Sequence, residues 1–114
     1  MADFIKDFWE KQGETHKDSH KASWGDHWAI SLEIEAISQH IQAGNNVLEA
    51  GCANGYSLLQ QYEKQPKAIY HGIDYAENMI RYAEEAKQKA QLNDEVTFSV
   101  GDITALDFPD DHFD

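Results

Sequence analysis

The stretch Val47-Leu48-Glu49-Ala50-Gly51-Cys52-Ala53-Asn54-Gly55-Tyr56-Ser57 decides the fold. A short apolar run ends in an acid and breaks into small residues, the pattern of a buried strand, a tight turn and the start of a helix. Gly51, Ala53 and Gly55 allow the backbone to turn sharply and to approach a bound molecule, which larger side chains would prevent.

The flanks supply alternating elements. Upstream, Ile30, Ile34, Ile37 and Ile41 share one face of a helix over 28–41, and Gly44-Asn45-Asn46 stops it. Downstream, Leu58, Leu59 and Tyr62 mark a helix that must finish before Pro66, because the residue before proline avoids helical angles. Residues 68–73 read as a strand with Asp74 at its end. Met79, Ile80, Ala83, Ala86 and Ala90 stripe a helix over 77–91, and 96–100 form a third strand that Gly101-Asp102 ends. At the N-terminus, Phe4, Ile5, Phe8 and Trp9 predict a short helix ended by Gly13, with loop or broken helix over 14–26.

Strands alternating with helices imply right-handed crossovers and a parallel sheet that holds ligands at the carboxyl ends of its strands. Glu49, Asp74 and Asp102 each fall at such an end, so three acids are expected on one rim.

The chain has 114 residues, the size of one small domain, and carries 21 acids against 9 lysines and arginines for a net charge of -12. That balance argues against nucleic-acid and anionic-membrane partners, which are bound through clustered lysine and arginine. Cys52 is the single cysteine and can form neither an internal disulfide nor a thiolate metal site, which suits a cytoplasmic, soluble protein. Residues 1–7 lack the apolar core of a signal peptide, and no run is long enough to span a bilayer. His16, His20 and His27 read as a solvated polar segment with no metal. Phe8, Trp9, Trp24 and Trp28 read as packing residues.

The rim chemistry separates ligands. A nicotinamide dinucleotide requires a final loop glycine where this chain has Tyr56, and Glu49 would repel the pyrophosphate. An NAD-dependent oxidoreductase is therefore the weaker alternative, and the Walker pattern is absent. A cationic ligand with a ribose and an adenine suits all three acids: one attracts an ammonium or sulfonium, one accepts from ribose hydroxyls, and one accepts from an adenine amino group. S-adenosylmethionine meets those conditions.

The residues resemble the class I S-adenosylmethionine-dependent methyltransferases. Glu49-Ala50-Gly51-Cys52-Ala53-Asn54-Gly55 is similar to that family's acid followed by Gly-x-Gly-x-Gly. Gly72-Ile73-Asp74-Tyr75-Ala76-Glu77-Asn78-Met79-Ile80 resembles its second strand end, Gly101-Asp102-Ile103 its adenine turn, and Phe108-Pro109-Asp110-Asp111-His112-Phe113-Asp114 its approach to the fourth strand. The resemblance implies a Rossmann-like α/β fold. It also implies cofactor contacts from Glu49, Gly51, Ala53 and Gly55 at the methionine end, Asp74 at the ribose, and Tyr75, Met79, Asp102 and Ile103 around the adenine. His20, Trp24 and Trp28 are candidates for a lid or acceptor pocket. Two positions depart from the family pattern. Ala53 replaces a glycine, which fits if its φ is negative, and Ala76 replaces a serine that would cap the next helix.

The family's sheet has seven strands with the first beside the fourth, and Asp114 lies where the fourth would begin. Residues 1–44 are thus expected to be a helical lid segment and 45–114 the first half of a cofactor-binding domain, from a truncated chain or one whose exposed first-strand edge self-associates. The implied activity is methyl transfer to a small-molecule acceptor, with no catalytic residue assigned; a noncatalytic cofactor-binding or interaction module is the alternative.

Overall fold

The computed structural model describes residues 3–114. Its elements run α1 (Phe4–His16), a 3-10 turn (His20–Ala22), α2 (His27–Ser38), β1 (Asn46–Ala50), α3 (Tyr56–Lys64), β2 (Ile69–Asp74), α4 (Glu77–Lys89) and β3 (Val96–Val100). The three strands form one parallel sheet in the order β1-β2-β3, with Leu48 opposite His71 and Asp74 opposite Val100. This is the Rossmann-like arrangement expected from the alternation of strand and helix. All three strand ends therefore point to the same rim.

One face of the sheet is packed by α3 and α4. Leu58 from α3, Ile80 and Ala83 from α4, and Tyr70, Val96 and Phe98 from the strands form the main cluster, together with Cys52 and Ala68. Burying the larger of these, such as Leu58, Ile80, Val96 and Phe98, stabilises the fold by about 1.5–3 kcal/mol each. Tyr70 also satisfies its polar end: its hydroxyl lies 2.8 Å from the Gln65 carbonyl and 3.1 Å from that of Gln61, so it caps the C-terminus of α3 as it fills the core. On the other face His71 is held by two hydroxyls, Thr97 Oγ1 and Ser99 Oγ, each 2.8 Å from a ring nitrogen. Phe108 packs edge-on against it at 4.9 Å.

Two helix boundaries differ from expectation. Gly13 does not end α1, which continues to His16. It is buried instead, because α1 crosses α4 there, and a Cβ at Gly13 would stand 2.8 Å from the Asn78 side chain. The glycine serves a close approach rather than a stop. α2 ends at Ser38, and Ile41 packs against the core from the following turn.

The aromatic residues of the N-terminal segment also differ from a packing role. Phe4 and Trp28 are 79% and 77% exposed, and Phe8, Trp9 and Trp24 are exposed as well. The main core is built instead from Tyr70, Leu58 and Phe98 with their neighbours, and none of these aromatic residues belongs to it. β1 is an edge strand, and at its start the Asp114 amide donates to the Asn46 carbonyl at 2.8 Å while the Asp114 carboxylate accepts from the Asn46 amide at 2.7 Å. Among the described residues no helix is long and apolar enough to cross a membrane.

Candidate functional site

Where the strands end, the loops after β1, β2 and β3 enclose a cavity of about 340 Å³. Gly51 and Ala53 form its floor, Asp74 and Asp102 its polar walls, and Tyr75, Met79 and Ile103 its apolar walls. Ile5 and Trp9 from α1 and Ser23 from the segment before α2 complete it. The volume falls in the range of small-ligand sites, in which apolar walls combine with a few placed polar groups.

Asp74 is fixed by two backbone donors. Its Oδ2 accepts from the Ala53 amide at 2.8 Å and its Oδ1 from the Ala76 amide at 2.9 Å. One carboxylate thus fastens the β1 loop to the β2 loop, and each oxygen keeps a further lone pair. Asp102 accepts from the Thr104 amide at 2.8 Å and the Thr104 hydroxyl at 2.7 Å. Those hydrogen bonds hold its carboxyl below the usual range, so it is an anion at neutral pH.

The loop after β1 shows how closely it is built. Gly55 caps α3 with φ 78°, and a Cβ there would lie 2.7 Å from the Phe98 ring. Ala53 takes φ 50°, contrary to the negative φ expected of an alanine. A left-handed turn places the Ala53 amide on Asp74, and the conformation costs a non-glycine residue about 1–2 kcal/mol. Asn54 is buried and its side-chain amide donates to the carbonyls of Lys17 at 2.6 Å and Ser19 at 2.7 Å, while its oxygen accepts from the Tyr56 amide at 3.2 Å. It binds the loop to the N-terminal segment. A lone asparagine between small residues gives no sign in the sequence of partners 35 and 37 positions away.

Several expected site residues lie elsewhere. Glu49 does not line the cavity; it sits in an adjoining depression with Glu33, Ile37 and Leu58, and the two spaces meet at Gly51. Strand alternation turns its side chain toward the α2–α3 side of β1. Burial pushes its carboxyl up to about 7, with the charges of Glu33 and Asp74 adding to the effect. Gly55 is occupied by packing against Phe98 and Ala83 and is not in the cavity wall. His20, Trp24 and Trp28 are also outside it: the His20 ring packs 5.3 Å from His27 and 5.5 Å from Tyr56, with Nδ1 2.9 Å from the Trp24 carbonyl. That cluster covers the start of α3.

α1 contributes to the cavity, and Trp9, expected as a packing residue, is on its wall. Trp9 and Ile5 face the cavity. Near them Lys6 Nζ lies 5.5 Å from the centre of the Tyr75 ring and 3.6 Å from the Glu77 carboxylate. The Tyr75 phenol pKa is raised, chiefly by the neighbouring Asp3 carboxylate.

Residues 41–114 match the sequence family described as a methyltransferase domain. The demethylmenaquinone methyltransferase of Listeria welshimeri is 33% identical over 75 residues, covering 65% of this chain and 31% of that protein. The Symbiobacterium thermophilum demethylmenaquinone methyltransferase is 23% identical over 112 residues, 97% of this chain and 45% of that one. Among solved structures, the YcgJ protein of Bacillus subtilis superposes with a TM-score of 0.64 at 28% identity, over 78% of this chain and 36% of that chain. The chain thus spans less than half the length of the relatives named here.

Proposed function

Because this chain belongs to the methyltransferase-domain family, we propose that its cleft binds S-adenosylmethionine and that the whole enzyme passes the methyl group to a small-molecule nucleophile. The observation that carries the reading is the placement of Asp74 and Asp102 on one cavity whose remaining walls are mostly apolar. Those acceptors fit an adenosyl ligand, which combines donating hydroxyls and an amino group with a flat apolar ring.

Asp74 would accept from the ribose hydroxyls through the lone pairs its backbone bonds leave free, and those bonds set the direction of both oxygens. Asp102 would accept from the adenine amino group, while Tyr75, Met79 and Ile103 flank the ring. Gly51 offers close backbone approach at the methionine end, and Glu49 lies beyond it as a source of negative potential for the cationic portion. When bound, the cofactor supplies the methyl group and its own leaving group. The protein's task is to align donor and acceptor and to exclude water.

In this reading residues 1–44 cover the cofactor and 45–114 hold it, with His20, Trp24 and Trp28 toward the acceptor side. The outer edge of β1 beyond Asn46 is the surface at which a further strand would pair, from a longer chain or from a second copy. The charge of -12 and the lone cysteine favour a cytoplasmic enzyme acting on a small molecule. A dinucleotide is disfavoured because the Tyr56 amide at the start of α3, where a pyrophosphate would bind, is already taken by Asn54.

Calorimetry with S-adenosylhomocysteine tests the reading. The chain is expected to bind, and Asp74→Ala to bind about ten- to a hundredfold more weakly, the scale of a lost hydrogen bond to a charged group. A folded wild-type chain that binds none of it overturns the proposal.

A further inference from the structure

α4 begins without a cap of its own. Ala76 holds the N-cap position with φ -87° and ψ 117°, but its methyl group can accept nothing. The free amides of the first turn need an acceptor from elsewhere, and α1 provides it. The Glu10 carboxylate accepts from the Glu77 amide at 2.7 Å and from the Asn78 amide at 3.3 Å. An anion there also meets the positive end of the α4 dipole.

The same contact joins the two helices. Asn78 returns a hydrogen bond from its side-chain amide to the Glu10 carbonyl and a longer one, 3.4 Å, to the Glu14 carboxylate. Gly13 leaves room for that side chain. Arg81 reaches Glu14 at 3.5 Å, though that pair is exposed and contributes little. Five residues before Glu10 stands Ile5, and one before it Trp9, both on the cavity wall.

We propose that Glu10 is a positioning residue for the cleft: its carboxylate, set on the amides of Glu77 and Asn78, locks α1 onto the start of α4 and so holds Ile5 and Trp9 over the ligand. The role in ligand binding rests on the adenosyl reading above. Glu10 does two things at once, capping α4 and holding α1. A cap on residue 76 can replace the first and not the second.

Glu10→Ala, Glu10→Gln, and Glu10→Ala combined with Ala76→Ser separate them. The readouts are thermal midpoint, S-adenosylhomocysteine affinity by calorimetry, and amide hydrogen exchange across residues 3–16. Glu10→Ala is expected to lower the midpoint, speed exchange in α1 and weaken binding about tenfold, equivalent to about 1.4 kcal/mol. Glu10→Gln, which keeps one acceptor oxygen, should restore most of each. The double variant should recover the midpoint while exchange stays fast and binding stays weak. Recovery of wild-type affinity and slow exchange in the double variant would show Glu10 to be a cap alone and overturn the proposal. If the wild type binds no S-adenosylhomocysteine, the adenosyl reading falls, and with it the ligand-holding role. Exchange then decides the lock, which unchanged exchange in Glu10→Ala overturns.

Discussion

α1 and α3 are held to the molecule by opposite means. α3 inserts Leu58 into the core, and its C-terminus is closed by a hydroxyl from β2. α1 buries only Gly13, leaves Phe4, Ile5 and Phe8 exposed, and is fastened by carboxylates and amides through Glu10, Glu14 and Asn78. Apolar burial is non-directional and shared among many neighbours, so α3 is inseparable from the fold. A few directional polar contacts can instead be broken together while the core stays intact. α1 is therefore the element expected to detach first while the core stays folded.

Two substitutions probe that contrast. Leu58→Ala leaves a hole between α3 and the sheet, and chemical denaturation should show a loss of about 2–5 kcal/mol spread over the whole transition. A loss confined to α3 would contradict its place in the common core. Gly13→Ala raises the helix propensity of α1 but drives a methyl group into Asn78. Overpacking costs about 1–3 kcal/mol, and here it should appear as release of α1 from α4 with the global transition little changed. Hydrogen exchange resolves the two, since only residues 3–16 should lose protection. Uniform loss across β1–β3 would mean that α1 is part of the core.

The same division governs what was legible from the sequence. The apolar run of Val47 and Leu48, the isoleucine spacing of α2 and the alanine stripe of α4 are local patterns, and local hydrogen bonding and burial answer to them. They carried the three strands and their parallel order. Contacts between distant segments leave no such periodicity. Nothing local distinguishes Gly13 as a crossing point from Gly13 as a helix stop, or shows that Glu10 would meet the α4 amides that Ala76 leaves open. Asn54 is illegible for the same reason. Ala53 is a subtler case: its left-handed backbone goes with a hydrogen bond from its amide to Asp74, a residue 21 positions away. Glu49 was correctly placed at a strand end, but which side of the sheet its side chain occupies depended on register.

Glu49 also makes the fold a proton-linked equilibrium. Its carboxyl ionises near 4.5 when free of its surroundings and near 7 in the folded chain. A pKa raised by folding means that the folded state binds the proton more tightly than the unfolded state does. The stability from this group is therefore full below pH 4.5 and is lost as pH rises toward 7. Above that range the ionised acid opposes folding, on the order of 1–2 kcal/mol for a partly exposed group. Glu49→Gln should raise the melting temperature at pH 8 and flatten its fall between pH 4.5 and 7 in a calorimetric pH series. An unchanged slope would mean that the acid is not strained by its setting. Near neutral pH the free protein thus holds this acid close to half-protonated, and folding disfavours its charged form.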